Sequence, residues 1–551
     1  MEKRGPMLFS ALKGYTRKQF AQDAVAGVIV AIIALPLSIA LALASGVGPE
    51  EGLYTAIVAG FVISFLGGSS VQIAGPTAAF ATVVAGVVAR SGMEGLMLAT
   101  VMAGVLLVVM GLLKLGSLIR FIPYTITTGF TAGIAVTICI GQLKDFFGVS
   151  YAAGVKPVET MEKLQAFFAS AGTVNLQAVL VGLICLAILI VWPRVSRRIP
   201  GSLVAVLAGI ALVKLLSLNV NTIGDLYTVS SRLPSPRLPH FDVSLVRAVL
   251  PDAFTIAVLA AIESLLSCVV ADGMTGTKHR SNTELIAQGA GNIASALFGG
   301  IPATGAIART AANVKNGGRT PVAGMVHALV LLLILVVLMP YAALIPMPAI
   351  AAILFMVAYN MCQWRPFYRL VRTAPKSDVA VLVATFALTV LFDLVVAIEV
   401  GMVMACVLFV KRMSDETSVQ GWVYPEEKEG SLRSVPRGVR VYEITGPLFF
   451  GAASRIGDIA VMDDTRCLVL RMRGVTALDS TALGALEVLR AQLAEKQIAF
   501  ILSHVNEQPM SVMRKAGFAA RLGVEGFCPN IEAALRRAEQ LARGDGGERG
   551  A

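Results

Sequence analysis

A glutamate stands in the middle of an apolar run. Glu263 lies about twelve residues into the segment 251–271, with Ser264 and Ser267 close by. A carboxylate left charged in hydrocarbon costs about 2.5–3.5 kcal/mol on insertion scales, so an ionisable residue there marks a functional site. At helical spacing Ser267, four residues on, shares the face of Glu263. A carboxyl so placed can carry a proton. With a hydroxyl and free carbonyls beside it, it can instead hold Na⁺. The bland alternative is a permanent pair with Arg309.

Two broken segments carry the second chemical signal. Pro36 interrupts the first long apolar run, and about forty residues later comes Gly75-Pro76-Thr77-Ala78-Ala79-Phe80. About forty residues after Glu263 comes Pro302-Ala303-Thr304-Gly305-Ala306-Ile307-Ala308-Arg309. Half-helices starting at 77 and 304 would each expose unpaired N–H groups and a positive dipole end. Facing each other, they would make a compact anion site, to which Thr77, Ser38 and Thr304 could add hydroxyl donors. Breaks at matching places in two halves point to an inverted repeat with a midplane site; breaks that only relax packing are the plainer reading.

Other residues say less. His327, in an apolar helix, reads as a satisfied core histidine, and His279 as a loop marker. Asp393 and Glu399 fall near the outer end of the last two segments, where solvated roles are expected. The seven cysteines form no CxxC and no paired spacing, so neither a disulfide nor a metal site is expected. No Walker motif, GxSxG or HExxH occurs, so the chain is not expected to be an enzyme, and no cofactor is implied beyond a coupling ion, H⁺ or Na⁺.

The elements that must position these residues follow from composition. The 551 residues are 56% hydrophobic and 15% charged, against about 45–50% and about 25% for a soluble globular protein. The excess is local. Residues 1–412 hold 29 Lys and Arg with 17 Asp and Glu, whereas residues 413–551 hold 17 and 18. The first part therefore reads as membrane-embedded and the second as a soluble domain. Apolar runs near the roughly 20 residues a spanning helix needs lie at 24–45, 96–115, 121–141, 174–192, 251–271, 321–339 and 394–411. Shorter ones lie at 53–66, 75–90, 200–216, 284–299, 304–315, 345–361 and 378–392. That makes about fourteen segments, seven in each half. With both termini inside, the inner arm and loops collect 20 basic residues and the outer loops eight. This asymmetry places both ends in the cytoplasm. Nucleic acid is not implied, because the positive charge sits in short loops between apolar runs. Residues 1–20 lack the h-region of a cleavable signal, so the first spanning helix is expected to target the membrane itself.

The expected organisation is a cytoplasmic arm at 1–20, a transmembrane domain at 21–412, a linker at 413–437, a small domain at 438–543 and a frayed tail at 544–551. In the small domain, strand patterns at 439–444, 467–473 and 498–502 alternate with helical patterns at 481–493, 508–516 and 531–541, which implies an α/β fold.

These residues resemble one family. Leu53-Tyr54-Thr55, Gly67-Gly68-Ser69 and Gly75–Phe80 carry the resemblance in the first half. Ala261-Ile262-Glu263-Ser264-Leu265-Leu266, Asp272-Gly273-Met274-Thr275-Gly276-Thr277-Lys278-His279 and Ala306–Asn313 carry it in the second. The chain is similar over nearly its whole length to the sulfate permease (SulP) anion transporters, with a C-terminal STAS domain. The resemblance implies a seven-plus-seven inverted repeat, a core moving against a gate, and a homodimer in a bacterial inner membrane. It implies a substrate site made by Leu37, Ser38 and Leu41, by Thr77, Ala78, Ala79 and Phe80, and by Thr304, Gly305, Ala306, Ile307, Ala308 and Arg309. Glu263 and Ser267 would couple the ion, and the longer Glu, where other members have Asp, resembles the proton-coupled ones. The stretch 261–292 and Leu391-Phe392-Asp393 look closest to bacterial C4-dicarboxylate carriers, implying succinate, fumarate or aspartate ahead of a sulfate-class oxyanion. Thr476-Ala477-Leu478-Asp479-Ser480-Thr481-Ala482 resembles the STAS loop whose serine is phosphorylated in related regulators. Here Ala482 replaces a Gly, so a docking or dimerisation role is expected ahead of a phospho-switch. A cytoplasmic regulatory partner would meet Asp479 and Ser480. The rival functions are a Na⁺-coupled bicarbonate or sulfate symporter, an uncoupled exchanger or channel, and an anion-sensing signalling protein.

Overall fold

The computed structural model describes residues 5–117, 123–152, 155, 157–196, 199–239, 242–392, 394–421 and 435–543. Lys3, Arg4, Arg120, Lys156, Arg197, Arg198 and Asp393, used above for topology or function, lie outside the described residues. So do 422–434 of the expected linker and the tail 544–551. The chain divides into two compact units, 1–402 and 403–551.

In the first unit one motif occurs twice. The first copy runs α1 (Arg17–Ala44), α2 (Pro49–Leu66), the two-residue strand β1 (Ala74–Gly75) and α3 (Ala79–Leu112). The second runs α7 (Val243–Thr275), α8 (Ser281–Leu297), β2 (Thr304–Gly305), α9 (Ile307–Lys315) and α10 (Val322–Ala342). The copies match because α3 is two helices in one: it kinks at Gly92, whose φ of 67° favours a residue without Cβ. Each copy is followed by further helices. After the first come α4 (Tyr124–Phe147), α5 (Leu176–Val195) and α6 (Gly201–Leu215). After the second come α11 (Met347–Cys362), α12 (Trp364–Thr373), α13 (Lys376–Leu391) and α14 (Leu394–Glu416). Among the described residues α1, α2, α3, α4, α5, α7 and α10 are each long and apolar enough to cross a membrane alone, and α11 reaches that length only when counted together with α12.

The helices pack in two groups. α1, α2, α3, α7, α8, α9 and α10 pack on one another, as do α4, α5, α6, α11 and α13. Three expected boundaries shift. α1 continues through Pro36 rather than breaking there, and α7 begins at Val243 and runs through Pro251. Residues 304–305 are strand, not helix, so the second half-helix starts at Ile307.

A stripe on α8 braces the first group. Glu284, Gln288 and Asn292 recur every four residues on one face, and none is exposed. The Glu284 carboxylate accepts from the Gly68 and Ser69 amides at 2.8 and 3.1 Å, and from Gln72 Nε2 and Gln288 Nε2 at 2.8 Å each. Asn292 Nδ2 donates to the Ala303 carbonyl at 2.9 Å, and its Oδ1 accepts the Ala303 amide at 2.8 Å. α8 thus holds the chain entering both short strands. A second brace sits at the start of α1. The buried Asp23 accepts the Arg319 and Thr320 amides at 2.7 and 3.2 Å and the Tyr15 hydroxyl at 2.8 Å. Burial first, then that hydrogen bond, pushes the Tyr15 phenol up to about 12, so it stays a donor.

The second unit is a five-stranded sheet ordered β3 (Ser418–Gly421), β4 (Val439–Thr445), β5 (Cys467–Gly474), β6 (Ala499–Ser503) and β7 (Phe527–Cys528). β3 is antiparallel to β4 and the other neighbours are parallel. α15 (Ser480–Glu495) covers one face through Leu486, Leu489 and Leu493. α16 (Ile531–Arg543) covers the other through Ala534, Leu535 and Ala538. Parallel strands covered on both faces read as continuous apolar runs, as at Cys467–Leu470. Burial pushes the Cys467 thiol up to about 12, which makes it a packing residue rather than a nucleophile. Residues 413–421, expected in the linker, instead complete α14 and form β3.

An unpaired buried donor costs about 1–3 kcal/mol. Glu284→Ala strands four of them, so the purified chain should unfold at clearly lower temperature, with a loss of ~3 kcal/mol or more. Glu284→Gln should lose less. A thermal unfolding series in detergent checks the order.

Candidate functional site

β1 and β2 pair with each other in antiparallel register, Ala74 opposite Gly305 and Gly75 opposite Thr304. The Ala306 amide donates to the Ile73 carbonyl at 2.8 Å, and the Ile73 amide to Thr310 Oγ1 at 3.0 Å. This two-residue ladder joins chain segments from the two copies and brings the starts of α3 and α9 together. Both helices have an alanine at the N-cap, Ala78 and Ala306, and neither has a side-chain cap. The first N–H groups of such a helix lack the carbonyl partners of its interior; at α3 the Phe80 and Ala81 amides turn back to the Thr77 and Ala78 carbonyls at 3.3 and 3.1 Å.

Arg309 lies one turn inside α9 and is only 3% exposed. Its Nη2 donates to the Pro76 carbonyl at 3.2 Å, while Nη1 has no hydrogen-bond partner among the described residues. Gly75 leaves room for it, since a Cβ there would stand 2.5 Å from Nη1. Glu263 is half-buried and accepts a hydrogen bond from Thr77 Oγ1 at 2.8 Å. No ion pair joins Glu263 to Arg309 among the described residues; each polar head meets the α3 entry instead.

The remaining expected residues divide by exposure. Leu37 and Thr77 are half-buried, while Ile307, 41% exposed, and Ala308 are open. Ser38, Leu41, Ala78, Ala79, Phe80, Thr304, Gly305 and Ala306 are buried. Thr304 does not offer its hydroxyl to a ligand. It pairs with Ser264 Oγ at 2.6 Å and reaches the Ala260 carbonyl at 3.2 Å. Ser267 donates to Thr310 Oγ1 at 3.3 Å, so its proton is used on α9 while its oxygen keeps its lone pairs. Ser38 Oγ is buried without a partner.

Two histidine readings change. His327 is fully buried, yet both ring nitrogens lack hydrogen-bond partners among the described residues, so it is not a satisfied core histidine. His279 is not a bare loop marker: its Nδ1 lies 2.7 Å from Asp272 Oδ2 and its Nε2 2.9 Å from Ser281 Oγ. Glu399 is exposed, as expected. Glu284, Gln72, Asn292 and Thr310 were missed. The spacing of Glu284, Gln288 and Asn292 at four-residue intervals in an apolar segment was the available signal.

In the second unit Asp479 caps α15, accepting the Ala482 amide at 2.8 Å, and its other oxygen accepts the Phe450 amide at 2.8 Å. Ser480, beside it, is exposed.

Comparison with known proteins gives the lineage. Residues 20–385 match the sulfate permease family and residues 433–534 the STAS domain. YvdB of Bacillus subtilis, provisionally named a sulfate transporter, is 39% identical over 531 residues, covering 95% of this chain and 98% of its own length. The bicarbonate transporter BicA of Picosynechococcus sp. is 31% identical over 540 residues, 94% of each chain. The solved transmembrane domain of a cyanobacterium bicarbonate transporter BicA aligns with a TM-score of 0.63 at 30% identity, covering 71% of this chain and 98% of that one. The structure of SLC26A9 shares the fold, with a TM-score of 0.86 at 19% identity over 98% of this chain and 93% of that one. The relatives are transporters rather than enzymes, and this multi-pass membrane chain belongs to the sulfate permease family, with a STAS domain at its C-terminal end.

Proposed function

We propose that the chain is a secondary active transporter of a small oxyanion, of the sulfate or bicarbonate class, coupled to protons through Glu263. The paired, uncapped starts of α3 and α9 carry this reading. They concentrate two positive dipole ends in one place, where a compact anion is favoured. Arg309, almost wholly buried, supplies a fixed positive charge behind them rather than a direct ligand. One cation and two adjacent helix ends suit a single-centred anion better than two separated carboxylates. The names of YvdB and BicA point the same way, so C4-dicarboxylates become the second choice. Proton coupling is supported because Glu263, whose carboxylate accepts from Thr77 Oγ1, keeps an accessible surface through which a proton can enter and leave. A homodimer with both termini in the cytoplasm of a bacterial cell, and a docking role for the exposed Ser480 end of α15, complete the proposal.

Uptake of labelled bicarbonate and sulfate into proteoliposomes, with and without an inward proton gradient, tests it. Gradient-driven uptake that succinate fails to block is expected; succinate uptake in its place would reverse the substrate choice.

Two variants separate the parts. Glu263→Gln should abolish the dependence of uptake on the gradient while leaving anion exchange measurable. Retained gradient dependence would remove Glu263 from coupling, and conduction unaffected by any gradient in the parent chain would favour a channel. Arg309→Gln should raise KM by roughly 10–100-fold, the scale of one lost charged interaction. Arg309→Lys should cost less than tenfold if a fixed charge is what matters, and initial uptake rates against anion concentration give both values.

A further inference from the structure

Between α11 and α13 the chain forms a ten-residue helix too short to cross anything. Gln363, at φ 44° and ψ 45°, turns the backbone sharply out of α11, and α12 then runs from Trp364 to Thr373. Ten helical residues rise only about 15 Å, short of the roughly 30 Å of hydrocarbon, so a helix joining α11 to α13 is expected at the membrane surface. Arg365, Arg369 and Arg372 of α12 are among the 20 basic residues expected on the cytoplasmic side.

α12 has three faces. Phe367 packs edge-on against Phe386 of α13, with ring centroids 5.5 Å apart, and Pro366 and Leu370 are half-buried on the same side. Trp364, Tyr368 and Val371, at helical spacing, form a second stripe that is 49%, 50% and 40% exposed. Arg365, Arg369 and Arg372 form a third stripe beside it, and all three are exposed. The stripes interlock: Arg365 lies over the Trp364 ring at 5.4 Å and Arg372 over the Tyr368 ring at 4.5 Å. Trp364 Nε1 also donates to the hydroxyl of Tyr359, an exposed residue near the end of α11, at 3.4 Å. Among the described residues no carboxylate pairs with any of the three arginines.

We propose that α12 binds anionic phospholipid headgroups of the cytoplasmic leaflet. The aromatic stripe would sit at the acyl boundary and the arginine stripe among the phosphates. Charge complementarity selects the occupant, because three arginines without protein counter-charges at a membrane surface meet a layer of fixed negative charge. The aromatic stripe selects the depth, since Trp and Tyr settle where one edge is apolar and the other wet. Arginine offers forked donors that suit phosphate.

Native mass spectrometry of the full chain, titrated in mild detergent with phosphatidylglycerol, phosphatidylcholine or glycerol 3-phosphate, tests the assignment. Phosphatidylglycerol should bind at least tenfold more tightly than either of the others. R365Q/R369Q/R372Q should weaken phosphatidylglycerol binding on the order of 100-fold, and R365K/R369K/R372K by less than tenfold. In W192F/W422F, Trp364 is the only tryptophan, and acyl-brominated phosphatidylglycerol in vesicles should quench it more strongly than brominated phosphatidylcholine. This second measurement decides alone if the Gln variant is not recovered folded. Equal quenching by the two lipids, unchanged affinity in a folded Gln variant, or equal binding of glycerol 3-phosphate would overturn the proposal. Protection of the three arginines from phenylglyoxal in pure phosphatidylcholine vesicles would give the surface to a protein instead, and would overturn it equally.

Discussion

The two-residue ladder between β1 and β2 is the contact on which the rest of the membrane unit depends. Backbone that leaves the helical path inside a bilayer has no water to turn to, so its N–H and C=O groups must find protein partners. Here the break in each copy satisfies the other: Ala74 and Gly75 pair with Gly305 and Thr304, and the Ala306 amide extends the match to Ile73. A helix starting from such a ladder inherits its position from the other copy. The two uncapped helix ends are therefore neighbours by construction, and the anion proposed to bind between them would meet two dipoles without any large cluster of cations.

Such a crossover stands only if the chain entering it is also satisfied. α8 does this with one carboxylate and two amides, each within reach because they recur every four residues on one buried face. Glu284 has no ion-pair partner among the described residues; four donors surround it. Dipolar solvation of this kind holds a buried carboxylate without a second buried charge, whose own desolvation would have to be met. Asp23 repeats the solution at the turn between α9 and α10, where the Arg319 and Thr320 amides converge on it. The chain is thus held before both short strands and again after α9, while the starts of α3 and α9 are left uncapped.

Much of this was legible in the residues. Pro76, Thr77, Pro302 and Gly305 marked both breaks, the apolar runs marked the helices, and Glu263 and Arg309 marked the site. What could not be read was pairing across more than 200 residues of chain. Thr304 and Gly305 look like a helix start because Gly and Thr are common there; only the distant Ala74 and Gly75 make them a strand. The same blindness hid the partner of Ser267, Thr310, which lies on another helix. Glu284 was passed over because its segment is apolar on average, and an average hides a stripe. Residues 418–421 have the composition of a linker and become strand only because β4 offers an open edge.

The buried polar groups left without partners complete the picture. Around the ladder, Thr304, Ser264, Ser267, Thr310, Gln72 and Asn292 are all hydrogen-bonded. Ser38 Oγ, Arg309 Nη1 and both nitrogens of His327 are not, among the described residues. These three residues lie on α1, α9 and α10, and Ser64 Oγ on α2, Asn313 Oδ1 on α9 and Gln288 Oε1 on α8 itself are unpaired among the described residues as well. An unpaired buried polar group is expensive wherever it sits, and Glu284 shows that this fold can bring four donors to one acceptor. The unpaired groups are spread over several helices near the ladder, and a second arrangement of α9 against α1 and α10 could pair those that this one leaves open on these three. A transporter needs two arrangements of similar free energy, and unpaired buried groups on the helices that would move keep the first from being too stable.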